Sequence, residues 1–117
     1  MSYITRVGNL AETPELREGD KGPYTYARVL VSDRLRDADD NYYDGPTIAY
    51  DVLVSGSQAR ELVATAEKSG NVRVMFEGSY TVTEDAGANG QSYINHRVRA
   101  SEIGISLRGQ RVTVERQ

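Results

Sequence analysis

The sequence predicts an all-β domain in which five strands close into a barrel, with one helix between the third and fourth strands. Five segments alternate apolar and polar residues with the period of a half-buried strand, and one segment has helical spacing. Glycine, proline and acidic turn residues separate these segments. The chain has 117 residues and no cysteine, so we expect one domain with a single modest core and no disulfide.

The N-terminal part of the chain predicts two strands. Tyr3–Val7 is a short apolar strand that we expect Gly8 to break, and a polar turn closing at Pro14 follows. Tyr24–Ser32 is rich in β-branched and aromatic residues, which predicts the second strand. Asp33–Pro46 is polar and acidic, and we expect it to form an irregular connection.

The middle of the chain predicts the third strand and the helix. Thr47–Ser55 has the period-two alternation of a strand, and its two faces should carry different sets of side chains. Ser57 is the predicted N-cap of the helix, and Gly70 is its predicted end. The apolar residues of the helix recur at i, i+3, i+4 and i+7, and they are Ala59, Leu62, Val63 and Ala66.

The last two strands form a predicted hairpin. Asn71–Val82 alternates again, and Gly78 within it indicates a bulge or sharp bend. Glu84–Gln91 is a turn region that contains the hairpin signal Asn89-Gly90. In the fifth strand, Ser92–Ala100, one side is assigned to the core: Ile94, His96, Val98 and Ala100. The other side carries Tyr93, Asn95, Arg97 and Arg99. This order of elements is the one expected of an OB-fold barrel.

The C-terminal segment has a weak alternation of its own. Gln110–Glu115 is compatible with an extra strand that docks on the barrel edge or on a neighbouring subunit. We therefore divide the chain into residues 1–108, the OB-fold domain, and residues 109–117, a C-terminal extension.

Charge leaves nucleic acid open as a partner. The net charge is −3, but all except two of the 14 basic residues are arginine, which suits phosphate forks and aromatic stacking better than lysine does. The net negative charge argues against non-specific binding of polyanions over the whole surface but not against a local basic groove. No signal peptide or membrane-spanning segment is predicted, so we expect a cytoplasmic protein without a membrane partner.

No motif in the sequence predicts catalysis or a cofactor. His96 is the one histidine, and its position in a strand favours a structural role over a catalytic one. No serine lies in a nucleophile-elbow motif, and there is no phosphate-binding loop. We therefore expect a binding protein that is not an enzyme.

The acidic run Asp37–Asn41 matches the first positions of a calcium-binding loop. The match then fails, because Tyr42 occupies the position that needs glycine and Ile48 the position that needs a bidentate glutamate. A solvated acidic loop is favoured over a cation site, and no metal is expected. An OB domain that binds a small ligand or cation through Asp37, Asp39 and Asp40 stays a distant alternative.

Two end segments carry a resemblance to a known family. Val7-Gly8-Asn9-Leu10 with Pro14-Glu15-Leu16-Arg17, and Glu102-Ile103-Gly104 with Ser106-Leu107-Arg108, resemble the first and last signatures of the bacterial single-stranded DNA-binding (SSB) family. The resemblance covers about residues 3–108, and its strong identity is confined to these two ends. It indicates a divergent or accessory member.

The resemblance implies an OB-fold and sequence-independent binding of single-stranded DNA in replication, repair or recombination. It implies a homo-oligomer, with a tetramer built from dimers favoured over a dimer, and a nucleoid-associated location in the cytoplasm. Family members commonly end in a flexible tail with an acidic, apolar tip that recruits other enzymes. This sequence ends at Arg116-Gln117, so we expect no such recruitment.

The sequence departs from the family where bases would stack. The family commonly has an aromatic residue before the Arg-Asp pair that follows strand two, and Leu35 stands there. The outer face of strand three, where the family has aromatics and an arginine, carries Ala49, Asp51, Leu53 and Ser55. Base stacking contributes ~1–3 kcal/mol per base, so these losses weaken the expected binding.

Other side chains are available to replace the missing stacking platforms. Tyrosines outside the predicted core would supply rings, with Tyr3 a further candidate, and arginines would supply cations. The candidate nucleic-acid-binding residues are Arg17, Arg28, Arg34, Arg36, Tyr42, Tyr43, Arg73, Tyr80, Tyr93, Arg97 and Arg99. The alternative is that these residues are ordinary solvated surface on an OB-fold protein-interaction or oligomerisation module with weak or lost DNA affinity.

Overall fold

The computed structural model describes residues 2–117. Within them the chain forms six strands and one helix. The strands are β1 (Ser2–Leu10), β2 (Arg17–Gly19), β3 (Gly22–Arg36), β4 (Tyr42–Ser55), β5 (Arg73–Ala86) and β6 (Ser92–Ile105). The helix, α1 (Ser57–Ser69), lies between β4 and β5.

The strands form a closed OB-fold barrel. The strand order is β1-β5-β6-β4-β3, and β1 closes the barrel on β3 through Asn9↔Leu30 and Leu10↔Val29. β4 and β6 run parallel, and the other neighbouring pairs are antiparallel. β2 is a short extra strand that pairs only with β3 among the described residues. The predicted fold class is therefore confirmed.

The core is filled by the inward faces of the five barrel strands together with one face of the helix. The alternating segments of β3 and β4 bury every second residue, as a half-buried strand requires. Phe76 and Tyr50 are the bulkiest buried side chains, and their ring centroids are 5.6 Å apart. The buried apolar residues are Leu10, Ala27, Val29, Val31, Tyr50, Val52, Val54, Ala59, Leu62, Val63, Ala66, Val74, Phe76 and Val98.

Gly8 does not break the first strand, contrary to the prediction. β1 continues through Gly8 to Leu10, and Gly8 is buried where β1 crosses β3. A Cβ atom at Gly8 would lie 2.3 Å from the backbone oxygen of Leu30. The glycine is therefore required by the close approach of two backbones at the closure of the barrel.

The predicted connection Asp33–Pro46 is wrong for most of its length. β3 extends to Arg36 and β4 begins at Tyr42, so a two-stranded arm projects beyond the barrel, with register pairs such as Leu35↔Tyr43. The residues of this arm are polar because neither face reaches the core, and this hides the strand period from sequence analysis. Only the acidic tip, residues 37–41, forms the connection.

A second arm is formed by β5 and β6. Strand β5 extends to Ala86, and the turn closes where the N–H of Gly87 donates to the carbonyl of Gln91 at 2.6 Å. The predicted hairpin signal is confirmed, since Gly90 has φ +77°. The prediction that Ile94 faces the core is wrong. Its side chain is 63% exposed, because it lies on the arm beyond the end of the barrel.

The helix buries its predicted face. Ala59, Leu62, Val63 and Ala66 are all buried, and Gly70 (φ +83°) ends the helix as predicted. The N-cap is Gly56 rather than Ser57, because Ser57 already lies in the helix and no side chain caps it. No helix within residues 2–117 is long and apolar enough to cross a membrane.

The predicted bulge lies where β5 meets β6. The register shifts between Glu77 and Gly78, so that Ser101 has no partner of its own on β5. A Cβ atom at Gly78 would lie 2.0 Å from the backbone oxygen of Arg99. The bulge therefore brings the two backbones into a contact that only glycine permits.

The C-terminal extension does not add a strand to this barrel, contrary to one of the two predicted arrangements. Within the described chain, residues 106–117 are in turns and irregular structure. The side chain of Gln110 substitutes for a strand ladder, because its Oε1 accepts from the N–H of Arg73 (2.8 Å) and its Nε2 donates to the Arg73 carbonyl (3.0 Å). One side chain therefore satisfies both backbone groups, and the alternation of the extension buries nothing against the barrel.

Candidate nucleic-acid interface

The outer faces of four strands form a concave surface, which we call the β3–β6 groove. The groove has a volume of about 770 Å³ and lies over the outward side chains of β3, β4, β6 and β5. Its lining residues are Tyr26, Asp51, Leu53, Ser79, Thr81, Thr83, Arg97, Val98 and Arg99. The alternation of each strand places all of them except the buried Val98 on the side opposite the core.

The strand register aligns an aromatic residue, an apolar residue and a cation in one row across the groove. Tyr26 on β3 is opposite Leu53 on β4, and Leu53 is opposite Arg99 on β6. Arg99 has no carboxylate within salt-bridge distance among residues 2–117. The row therefore places a ring and an unpaired guanidinium on the same surface.

A second row, two residues along each strand, holds opposite charges. The Nη1 of Arg28 lies 3.3 Å from Oδ1 of Asp51, and Asp51 is in register with Arg97. Arg97 in turn lies 3.9 Å from the carboxylate of Asp85. These pairs are exposed and weak, so an incoming anion can compete for the arginines.

Tyr26 offers the largest flat surface in the groove. Its side chain is 58% exposed, and Tyr24 holds it edge-on, with centroids 6.0 Å apart and planes at 86°. A second cavity of about 370 Å³, around the β2–β3 turn, shares Tyr26 and Leu53 with the groove. The groove therefore continues past Tyr26 toward Lys21 at that turn.

The β3–β4 arm brings four of the predicted residues together. The guanidinium carbons of Arg34 and Arg36 lie 5.3 and 5.7 Å from the ring centroid of Tyr42, within the range of cation–π contacts. Arg36 also pairs with Asp40 at 3.0 Å. Tyr43 is 51% exposed on the same strand as Tyr42. The arm therefore carries rings and cations beyond the barrel, outside the β3–β6 groove.

The acidic tip of this arm has a structural explanation. Oδ1 of Asp37 accepts the N–H groups of Asp39 and Asn41, each at 2.9 Å. These bonds hold the turn, and Asp40 has φ +65° within it. Among residues 2–117 no group of three or more histidine, cysteine or acidic residues is placed to hold a metal ion.

Tyr93 lies on the second arm, near the groove but outside its lining. Its side chain is 54% exposed, and its ring packs so closely on Gly87 that a Cβ atom there would lie 2.2 Å from it. The neighbouring Asn95 donates to the carboxylate of Asp85. Tyr93 is therefore an exposed ring held against a turn.

Three predicted residues lie away from the groove. Arg17 is on β2, 3.8 Å from Glu15. Arg73 is at the far end of β5, half-buried beside the C-terminal extension. Tyr80 is half-buried against the core, because its hydroxyl lies 2.6 Å from Nδ1 of His96 and the two rings stack. The structure does not bring these three together with the groove.

One end of the barrel holds a cluster of polar and aromatic side chains. Arg6 lies over the ring of Tyr50, 5.8 Å from its centroid, and pairs with Asp33 at 2.9 Å. Burial raises the pKa of Tyr50 above its ordinary value of 10.0, while the positive charge of Arg6 acts in the opposite direction. His96 contacts Tyr50 as well as Tyr80, which is a structural position of the kind predicted.

Tyr26, the ring that lines the groove, is not among the binding residues predicted from the sequence. The signal was present, because Tyr26 has the same parity along β3 as Arg28 and so faces the same side. From the sequence alone, Tyr26 is used only as one of the aromatic residues that predict the second strand, and it is not assigned to a binding surface. The prediction of Arg97 and Arg99 as outward neighbours agrees with their place in the groove lining.

The barrel, its helix and its arms define an OB-fold of the type found in single-stranded DNA-binding proteins. The small single-stranded DNA-binding protein of Streptomyces coelicolor is a similar solved structure, with a TM-score of 0.77 and 28% sequence identity. The match covers 93% of this chain and 97% of that one. No protein-family model and no curated protein sequence matches this chain.

Proposed function

We propose that this protein binds single-stranded DNA without sequence-specific readout, in the replication, repair or recombination steps that expose single strands. The observation that carries the proposal is the β3–β6 groove, where the exposed ring of Tyr26 and the guanidinium groups of Arg97 and Arg99 share one concave surface. Similarity to an OB-fold protein that binds single-stranded DNA supports it.

The proposed mechanism is binding without chemistry. A base stacks on Tyr26, and the sugar–phosphate backbone follows the arginines of β6. Arg99 is the first phosphate contact because no carboxylate competes for it within the described residues. The arms extend the path, with Tyr42, Arg34 and Arg36 on one and Tyr93 on the other.

The groove has few stacking platforms and contains acidic groups, so we expect modest affinity. One ring lines it, where each stacked base contributes ~1–3 kcal/mol. Asp51 lies inside the groove and repels phosphate, and Asp85 lies beside Arg97. Weak, salt-sensitive binding at micromolar protein concentration is therefore the expected behaviour.

The decisive experiment is titration of a labelled oligo-dT at two salt concentrations, followed by fluorescence anisotropy because the chain has no tryptophan. We expect the Arg97→Ala/Arg99→Ala double variant to bind more weakly and to lower the salt slope of log K by about 1.4, since each phosphate that is no longer neutralised lowers it by about 0.7. Its charge-matched control is Arg60→Ala/Arg108→Ala, two exposed arginines outside the groove. Absence of salt-sensitive binding by the wild-type protein would overturn the proposal.

The second candidate function is an OB-fold module for protein interaction or oligomerisation that has lost most DNA affinity. The ion pairs Arg28–Asp51 and Arg97–Asp85 favour it, because the acidic partners already occupy two arginines of the surface. The same titration separates the two functions. A protein that self-associates but leaves the oligonucleotide free at every salt concentration would be such a module.

We also propose that the protein forms a homo-oligomer, with a tetramer built from dimers favoured over a dimer. β1 pairs with β5 from Ser2 to Asn9 but with β3 only at Asn9 and Leu10, so most of its second edge is unpaired in the described chain. An unpaired edge is a template for a strand of another copy. Residues 1–108 would form the binding domain, and residues 109–117 an extension tied down by Gln110.

A further inference from the structure

The Asp51 carboxylate lies in the middle of the groove with one of its oxygens unused. Oδ1 accepts from Nη1 of Arg28 at 3.3 Å, and within residues 2–117 no group donates to Oδ2. The side chain is 37% exposed, so this oxygen is accessible to a ligand. A carboxylate repels phosphate but accepts hydrogen bonds from the N–H groups of a nucleobase.

We propose that Asp51 adds one base preference, guanine over thymine, to binding that is otherwise independent of sequence. This inference rests on the proposed single-strand binding. The Watson–Crick edge of guanine carries two adjacent donors, N1–H and N2–H, which match the two oxygens of a carboxylate. Thymine carries one donor between two carbonyl oxygens, and both of these face the negative charge unfavourably. Single-stranded nucleic acids expose this edge for readout.

The arginines beside Asp51 supply a hydrogen-bond donor for guanine O6. Guanine O6 adjoins N1–H, so a base held by the carboxylate places O6 next to a neighbouring donor. Arg28 is opposite Asp51 on β3, and Arg97 is in register with it on β6. A guanidinium on either side can donate to O6 while Asp51 accepts from N1 and N2. The acidic group that weakens backbone binding therefore becomes a site for base recognition.

Tyr26 positions the base for this contact. Tyr26 is opposite Leu53, and Asp51 is two residues from Leu53 on the same face of β4. Diagonal neighbours of this kind lie roughly 7–8 Å apart in an antiparallel pair, and their Cβ atoms are somewhat closer. That separation fits a purine stacked on the Tyr26 ring with its Watson–Crick edge directed at the carboxylate.

The test compares three labelled oligonucleotides of about 15 nucleotides, a length near the upper end of OB-fold site sizes. The first is oligo-dT. The second is oligo-dT in which guanines replace thymines at spaced positions. The third has hypoxanthine at those positions, and hypoxanthine differs from guanine only by lacking the N2 amino group. We expect guanine to bind about fivefold or more tightly than thymine. Hypoxanthine should fall between them. Asp51→Asn should abolish the guanine advantage and raise the affinity for oligo-dT.

The matched control is Glu67→Gln, which removes the same charge from an exposed position of α1 outside the groove. It should keep the guanine advantage. Equal, salt-sensitive binding of all three oligonucleotides would overturn this inference and leave the proposed function intact, whereas no binding of any would overturn both. A guanine advantage that persists in Asp51→Asn, with the variant shown to be folded by its thermal unfolding, would also overturn the inference.

Discussion

Tyr26 illustrates how much a single position contributes to the groove. Its ring is 58% exposed, although its neighbours along β3, Thr25 and Ala27, are completely buried. The strand period accounts for this difference, since successive side chains point to opposite faces. The same period places Arg28 and Leu30 on the groove side of β3.

At the residue scale, the first prediction concerns stacking on Tyr26. Tyr26→Leu should weaken oligo-dT binding by ~1–3 kcal/mol, the contribution of one stacked base, while Tyr26→Phe should bind nearly as well as the wild type because it keeps the ring. Anisotropy titrations at a single low salt concentration measure both. Equal losses in the two variants would show that the hydroxyl, not the ring, is used.

The second residue-scale prediction concerns Tyr50, which is 4% exposed and whose pKa burial raises above 10.0. As the pH rises past 10.0, the unfolded chain ionises this tyrosine before the folded protein does. The free energy of unfolding should therefore fall over that range. Tyr50→Phe, which removes the ionising group, should lose less stability between about pH 8 and about pH 10.5 in urea unfolding. An identical loss in both proteins would contradict the assignment.

At the scale of elements, the arms differ from the barrel in what specifies them. In the barrel, burial of alternate side chains selects the strand period, as in Val52 and Val54 of β4. In the arms, residues such as Ile94 and Val82 are exposed, so burial does not select the strand period there. The arms are held instead by their ladder hydrogen bonds and by the turns at their tips.

The element-scale prediction concerns the bulge between β5 and β6. Gly78→Ala would place a Cβ atom 2.0 Å from a backbone oxygen, and backbone cannot move aside cheaply, so we expect a destabilisation on the order of 2–4 kcal/mol. Gly104→Ala on β6, where a Cβ atom meets nothing within 4 Å, should change stability by less than about 0.5 kcal/mol. Thermal unfolding of the two variants provides the comparison. Similar melting temperatures would show that the bulge is not tightly packed.

At the scale of the whole molecule, the barrel closes over a short seam between β1 and β3. β1 and β3 share two register pairs near Leu10, and farther along the seam the side chains of Arg6 and Asp33 bridge the two strands. The backbone of β1 beyond this closure has no strand on that side within the described residues. This free edge, together with the exposed Tyr3 and Met75 on the adjoining face, is where the proposed contact between copies would lie.

The molecule-scale prediction concerns this self-association. Sedimentation equilibrium at micromolar concentrations should give a mass at least that of a dimer of the 12.9 kDa chain. In the oligomer, amide hydrogens of residues 2–7 should exchange more slowly than the one-sided pairing of β1 allows, because a partner strand protects them. A monomer mass at every concentration, with rapid exchange of this segment, would contradict the proposed interface.

The sequence by itself determined the barrel, the helix and its buried face, since each depends on local periodicity and burial. Ala59, Leu62, Val63 and Ala66 are spaced so that only a helix can bury all four. It also indicated the bulge at Gly78 and the turn at Gly90, because glycine is the residue that such backbones need. The same strand period predicted that the side chains of Arg97 and Arg99 both point outward.

Only the tertiary structure decided which exposed residues meet. The register between strands places Leu53 between Tyr26 and Arg99, and Asp51 between Arg28 and Arg97, although these residues are far apart in sequence. In the folded chain, Tyr80 also hydrogen-bonds to His96, and the backbone of Arg73 hydrogen-bonds to Gln110, so both residues lie away from the groove. Surface positions carry no burial signal, so their neighbours are set by strand order and register, which exist only once the barrel has closed.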